Sequence, residues 1–441
     1  MSARQGELAA LAVLEKVTAE GAYSNEAIAH VFKEQKIKGP ARAAALAYVR
    51  LTLENWQACE FILAQYTKLN QCGRTVRNIL RMSTARLLFS QAADATVVHA
   101  AVELTRASRK GAQSKFVNAV LRNVSRHKEH IPWPDVRTQP SYALAVRYSW
   151  PQWAAQEAVD ILGVEEATQF LSCRSDGGVS FRVNLRQATR EATLKTLASM
   201  QIQAQPSRLC QQGLLAYGVE NAVGLSLYRK GIISLQGQAS MLAAQQMQNV
   251  HGTVLDVCAA PGGKACAVAE MLGKNAQVHA FDIHPHRVAL IQAQAARLQL
   301  DNVHVHVWDA KQPFAPWQGK ADAVLVDAPC SGLGTALHRP DVKINRQQED
   351  IRALACEQAA ILQNAAACVR PQGRLIYCTC TFIRAENEAI VQQFLAHHPA
   401  FVPDDLYLPE TLRNRVRQGM LQLWPHRDGT DAFFIAAMKR L

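Results

Sequence analysis

The sequence predicts an α/β protein in which an all-helical leader and a small mixed middle block precede a parallel, doubly wound sheet domain. Three observations carry that reading. Apolar residues recur at three- and four-residue spacing from Leu8 to about residue 130, and short apolar runs alternate with helical segments from Gly252 onward. Positive charge is also uneven: residues 1–130 hold 19 Lys and Arg against 10 Asp and Glu, whereas the remainder holds 29 against 26. A basic module beside a near-neutral one fits an anionic macromolecular partner, with a merely solvated basic surface as the plainer alternative.

At 441 residues and 49% hydrophobic composition, the chain has room for two or three domains with their own cores. It contains no run of eighteen apolar residues, so no membrane span is expected. Leu8 to Leu14 is apolar but is cut by Glu15-Lys16 and lacks a cleavage-like site, which argues against a signal peptide. Eleven cysteines, with no CxxC pair and no metal-ligand spacing, point to reduced thiols in a cytoplasmic protein without a metal site.

In the leader, the helical segments run from Leu8 through Val17, from Ala44 to Leu63 and from Val76 to Leu88, with Gly39-Pro40 and Gln71-Cys72-Gly73 as breaks. Asp94 is the expected N-cap of a helix over 95–107. Arg106, Arg109, Lys110, Lys115, Arg122, Arg126 and Lys128 then form a basic run suited to phosphate contact, weighed against an exposed helix face. Ile131-Pro-Trp-Pro134 reads as a linker, since two prolines stop a helix. Residues 141–232 mix a helix, Pro151 to Leu171, with short strands at Ser180–Leu185 and Gly231–Leu235, and carry no legible chemical motif.

The sheet domain is expected to use strands at Thr253–Asp256, Val278–Asp282, Val303–Trp308, Ala323–Val326, Arg374–Cys380 and Phe433–Ala436. Helices start at Lys264 and Pro285; in the second, Val288, Ile291, Ala295 and Leu298 share one face. Such alternation implies right-handed crossovers and a parallel sheet, whose ligands bind at the carboxyl ends of the strands.

Those ends carry the chemistry. Asp256-Val-Cys-Ala-Ala-Pro-Gly-Gly-Lys264 is a strand–turn–helix loop whose glycines admit a ligand to the backbone and to a helix N-terminus. It matches neither the Walker loop nor the dinucleotide fingerprint. Asp282, Asp309 and Asp327 end successive strands; singly each reads as a loop cap, together they favour a nucleoside-type cofactor, with Asp282 placed for ribose hydroxyls. Cys330 follows Asp327-Ala-Pro, and Cys380 ends the next strand. A lone strand-end cysteine is usually a small buried hydrophobe. Two at neighbouring strand ends suit covalent catalysis, in which a thiolate adds to C6 of cytosine and makes C5 nucleophilic towards a sulfonium methyl group.

Cys258-Ala-Ala-Pro-Gly-Gly-Lys264, Asp327-Ala-Pro-Cys-Ser-Gly332 and Tyr377-Cys-Thr-Cys380 together resemble the RNA cytosine-5 methyltransferases that use S-adenosylmethionine. The basic leader, with Lys115-Phe-Val-Asn-Ala-Val-Leu-Arg122, is similar to the NusB-type RNA-binding domain. The combination resembles the RsmB (Fmu/Sun) family, whose substrate is 16S ribosomal RNA at cytosine 967. The resemblance implies a NusB-like domain over 1–135, a mixed middle subdomain over 141–232 and a Rossmann-like methyltransferase domain over 233–441. It further implies a monomeric cytoplasmic enzyme. Cys258, Ala259, Ala260, Pro261, Gly262, Gly263 and Lys264 are expected around the methionine end of the cofactor. Asp282 is expected on the ribose, Arg287 as a brace of that loop, Asp309 on the adenine, and Asp327 between cofactor and cytosine. Cys380 is implied as nucleophile, Cys330 as the group assisting elimination and release, and Lys264 as a neighbour of the base. The same chemistry on transfer RNA, or a non-catalytic RNA-binding scaffold, are the competing readings. The chain departs from the family pattern at Gly237, where an acid is usual, at Leu337 and Ile344, where Arg and Trp are common, and at Cys378, usually a small non-thiol residue.

Overall fold

The computed structural model describes residues 2–20 and 23–441, and the chain divides into two compact units. The first comprises residues 1–173 together with 336–348; the second comprises 174–335 and 349–441.

In the first unit the helices are α1 (Ser2–Glu20), α2 (Ser24–Glu34), α3 (Gly39–Glu54), α4 (Trp56–Leu63), α5 (Arg74–Phe89), α6 (Asp94–Ala107), α7 (Ser114–His127), α8 (Pro140–Tyr148) and α9 (Gln152–Ser172). The apolar stripes of α1–α7 meet in one core that includes Leu14, Leu53, Leu63, Ile79, Leu80 and Leu121. Several sequence expectations change here. Gly39-Pro40 is no break but the first turn of α3, where the missing proline N–H costs nothing. The run from Ala44 to Leu63 is two helices, divided at Asn55, whose side chain donates to Leu51 O at 2.9 Å. Asp94 lies inside α6 rather than capping it; its carboxylate instead accepts from Lys128 Nζ at 2.9 Å and Ser125 Oγ at 2.7 Å.

The segment 336–348 belongs to this helical unit and is held by buried polar contacts. Asp341 is fully buried and accepts from the Ser24 backbone N–H at 3.2 Å and from the Ser24 hydroxyl. Lys343 donates to Glu54 O and Tyr148 O, each at 3.3 Å, and Ile344 packs against the helical core.

The second unit opens with a small antiparallel sheet in the order β2-β3-β1-β4, built from β1 (Val179–Val183), β2 (Gln203–Pro206), β3 (Gly213–Tyr217) and β4 (Ile233–Leu235). Helices α10 (Arg190–Ser199) and α11 (Ser226–Arg229) accompany it, and α12 (Gln238–Gln245) follows β4 into a different core, with Val254 and Ile376. A large sheet follows, with β5 (Gly252–Asp256), β6 (Ala276–Asp282), β7 (Val303–Val307), β8 (Ala321–Asp327), β9 (Val369–Thr379), β10 (Phe401–Pro403), β11 (Met420–Leu423) and β12 (Phe433–Arg440). Its order is β10-β12-β9-β8-β5-β6-β7, with β11 paired to β12. Helices α13 (Gly263–Leu272) and α14 (Pro285–Arg297) follow β5 and β6.

The five strands from β9 to β7 are parallel, as the alternation predicts. The late strand is not: β12 runs antiparallel to β9, and the short strands β10 and β11 pair with it in the same sense. Three- and four-residue strands leave little periodic trace, which is why the sequence reading holds neither. Order reverses at β5, which lies between β8 and β6, so the switch point falls beside the Asp256–Lys264 loop. Pairing of Asp327 with Cys378 brings the ends of β8 and β9 side by side.

Candidate functional site

The turn after β5 is shaped by its own backbone bonds. Val257 N–H donates to Leu325 O at 3.0 Å, Ala259 N–H to Phe281 O at 2.8 Å, and Gly262 N–H to Ala259 O at 2.7 Å; the Ala260–Pro261 bond is cis. Gly262 has φ +99°, and a Cβ there meets Ile291 Cα at 3.1 Å, so this position needs glycine on both counts. Asp282, at the buried end of β6, accepts from His284 N–H at 3.0 Å. Arg287 Nη1 lies 3.3 Å from its other oxygen, and Arg287 Nη2 donates to Ala260 O at 3.4 Å, linking the acid to the glycine turn. Asp309 is half-buried, and its carboxylate accepts from Lys311 N–H at 2.9 Å.

One residue that the sequence reading missed supports this turn. Arg182, on β1 and buried, donates to both oxygens of Glu270 at 2.8 and 2.9 Å, to Gly263 O at 3.0 Å and to Gln236. A bidentate guanidinium–carboxylate pair is directional, and with the bond to Gly263 O it fixes both the later part of α13 and its first residue to β1. An arginine in a short strand, far from its partners in the chain, offers no local signal of that role.

Lys264 reaches from α13 to the end of β8, where its Nζ donates to Asp327 Oδ2 at 2.6 Å. Burial alone lowers the Lys264 ammonium, but the facing Asp327 carboxylate outweighs it and the net shift is upward. The other Asp327 oxygen accepts from the Cys378 thiol at 3.5 Å. Cys378 thus touches the acid, and burial followed by the Asp327 charge holds its thiol well above the ordinary range. Beneath them Asp256 is fully buried; burial first, then Asp327, pushes it up to about 7 against the pull of Lys264.

Cys330 and Cys380 meet, with sulfurs 3.3 Å apart. The hydrogen bond to Cys380 is the first cause, and burial the second, that hold the Cys330 thiol well above its ordinary range. Either sulfur can donate to the other across this contact, so a proton can pass between the two thiols. Cys258 packs against the core that includes Val257 and Phe281.

In the helical unit the basic run is divided by the fold. Arg106, Arg122 and Arg126, with His99 and Asn118, line a cleft of about 530 Å³ between α6 and α7. Lys128 is instead engaged by Asp94. Among the described residues no group of three or more His, Cys, Asp or Glu is arranged to hold a metal ion, and no helix is long and apolar enough to cross a membrane.

Comparison with known proteins places these features. A family described as "16S rRNA methyltransferase RsmB/F" matches residues 240–439, and the NusB family matches residues 3–126. The "Probable ribosomal RNA small subunit methyltransferase B" of Bacillus subtilis (strain 168) is 34% identical over 442 residues, covering 98% of each chain. The "Ribosomal RNA small subunit methyltransferase B" of Pseudomonas putida is 31% identical over 329 residues, covering 74% of this chain and 73% of its own. In fold, the chain is similar to the crystal structure of PH0851, with a TM-score of 0.81, 24% identity and 99% of each chain covered. It is also similar to NSun6 from Pyrococcus horikoshii, solved with SFG, at a TM-score of 0.58 and 21% identity over 66% of this chain and 98% of that one.

Fold and comparisons together define an S-adenosylmethionine-dependent methyltransferase with a Rossmann-like sheet and a NusB-like helical domain. The chain belongs to the RsmB/F family of ribosomal RNA small subunit methyltransferases.

Proposed function

We propose that this protein transfers a methyl group to C5 of a cytosine in 16S ribosomal RNA through a temporary bond between Cys380 and C6. The observation that carries the reading is the 3.3 Å approach of the Cys330 and Cys380 sulfurs beside the Lys264–Asp327 pair. The residues fit the cofactor: Gly262 lets the turn close on Ile291 and open α13 directly after β5, and Arg287 holds the Asp282 carboxylate against the same turn. Residues 258–264 then surround its methionine end, Asp282 takes the ribose hydroxyls and Asp309 the adenine edge. When bound, S-adenosylmethionine supplies an electrophilic methyl group.

The Cys380 thiolate adds to C6, and the C5–C6 π pair becomes an enamine-like pair at C5. Asp327, oriented by Lys264, accepts from the pairing edge of the ring and holds C5 towards the methyl group. After C5 has taken the methyl group it gives up its proton to water, the C5–C6 double bond re-forms from that C–H pair, and the C6–Cys380 bond breaks with its electrons leaving on sulfur. Cys330 returns a proton to the departing thiolate, the role its raised thiol suits.

The target base must leave its stack to reach a strand-end site, at a cost of a few kcal/mol. The α6/α7 cleft, with three arginines, holds RNA phosphates and positions the strand without reading its sequence. The test is bisulfite sequencing of 16S ribosomal RNA incubated with the protein and S-adenosylmethionine. One protected cytosine, absent with Cys380→Ala, is expected. Protection only in transfer RNA, or none at all despite bound cofactor, overturns the proposed substrate.

A further inference from the structure

Behind the thiol pair lies a carboxylate to which the chemistry above assigns no task. Glu386 ends a short 3-10 turn, Arg384–Glu386, and is fully buried. Its Oε1 accepts from the Ser331 backbone N–H at 2.8 Å and from Gln358 Nε2 at 3.0 Å, and its Oε2 accepts from the Ser331 hydroxyl at 2.6 Å. The Ser331 and Thr381 hydroxyl oxygens are 2.8 Å apart. Gln358 Nε2 also donates to Pro329 O at 2.8 Å. The Tyr377 hydroxyl donates to Glu386 O at 2.7 Å, fixing the turn from the β9 side.

The placement of these bonds matters more than their number. Ser331 directly follows Cys330, Pro329 directly precedes it, and Thr381 directly follows Cys380. A buried carboxylate is costly unless well hydrogen-bonded, and here its bonds converge on the residues flanking the two thiols. Burial raises the Glu386 carboxyl, and the donors from Ser331, Gln358 and Thr381 oppose that rise. The two cysteines end neighbouring strands whose backbones are also joined by Ala328 N–H to Cys378 O and Gly334 N–H to Cys380 O, each at 3.0 Å, and Glu386 adds the side-chain tie between the residues that flank the two sulfurs.

We propose that Glu386 is a positioning residue that clamps the Cys330 and Cys380 turns together and so sets the distance between the two sulfurs. None of its hydrogen bonds reaches the 258–264 loop, so cofactor binding does not depend on it. The inference rests on the proposed roles of Cys380 and Cys330, but the clamp itself is measurable without any RNA.

The experiment compares the full-length protein with Glu386→Gln, Glu386→Ala and Ser331→Ala. Phenylarsine oxide bridges two nearby thiols through arsenic with release of water, so its affinity reports the sulfur separation. It is expected to bind at least tenfold more weakly to Glu386→Ala, with Glu386→Gln in between. Affinity for S-adenosylmethionine should stay within twofold, and KM for RNA likewise, while kcat falls roughly 10- to 100-fold, the scale of an ångström's misplacement. If Glu386→Ala does not fold, Ser331→Ala carries the same expectation, because it removes the hydroxyl that bridges Glu386 to Thr381. Unchanged arsenical affinity, unchanged kcat, or parallel loss of cofactor binding and kcat overturns the clamp. Weakened arsenical binding in a protein that never methylates cytosine upholds the clamp and defeats the catalytic reading instead.

Discussion

The Cys330 and Cys380 sulfurs approach to 3.3 Å although one follows β8 and the other follows β9. Parallel pairing of Asp327 with Cys378 makes that possible, because it brings both strand ends to the same height. The hydrogen bond to Cys380, followed by burial, holds the Cys330 thiol well above its ordinary range.

Cys380→Ala is expected to abolish methyl transfer while leaving S-adenosylmethionine binding intact by calorimetry. Cys330→Ala should instead accumulate a covalent protein–RNA adduct, visible as a slow band in denaturing gels. Normal turnover by Cys380→Ala refutes the covalent route.

Removing one partner of a buried ion pair leaves the other charge stranded. Lys264→Met should therefore destabilise the protein by roughly 3 kcal/mol, the low end for such pairs because Asp327 retains some contact with water. Urea unfolding provides the check, and adding Asp327→Asn to Lys264→Met should recover most of the loss.

Asp256 sets a pH dependence with a definite sign. Its carboxyl rises from 3.8 to about 7 in the folded protein, so between those values the folded chain keeps a proton that the unfolded chain releases. Its contribution to stability is complete below pH about 4 and is lost as pH rises to about 7. Asp256→Asn should remove this decline; urea midpoints for both proteins that stay parallel across the window contradict the assignment.

Arg122→Gln with Arg126→Gln should weaken RNA binding and lower the slope of log affinity against log salt by about 1.4, if each arginine neutralises one phosphate of a single strand. Filter binding at several salt concentrations measures it. An unchanged slope removes the α6/α7 cleft from the RNA-binding surface.

The parallel strands and the loop from Asp256 to Lys264 were legible because buried strands are short and apolar on both faces, and because glycine pairs mark close approach. The thiols, Asp282 and Asp327 stood at the ends of those runs, where the direction of a parallel sheet dictates a crevice. Arg182 and Glu386 were not legible: each acts through partners dozens of residues away, and neither sits in a periodic or turn-rich pattern. Asp94 shows the same limit in reverse. An acid before a helical run looks like a cap, yet its partners Ser125 and Lys128 lie on and just beyond α7.

The amino-acid sequence alone determined the layered α/β plan, the basic helical leader and the candidate residues at the strand ends, since periodicity and turn chemistry are local properties. Tertiary structure decided the antiparallel edge at β12, the membership of 336–348 in the helical unit, and the meeting of the two sulfurs. Those depend on register and on buried hydrogen bonds between distant segments, which no local pattern encodes.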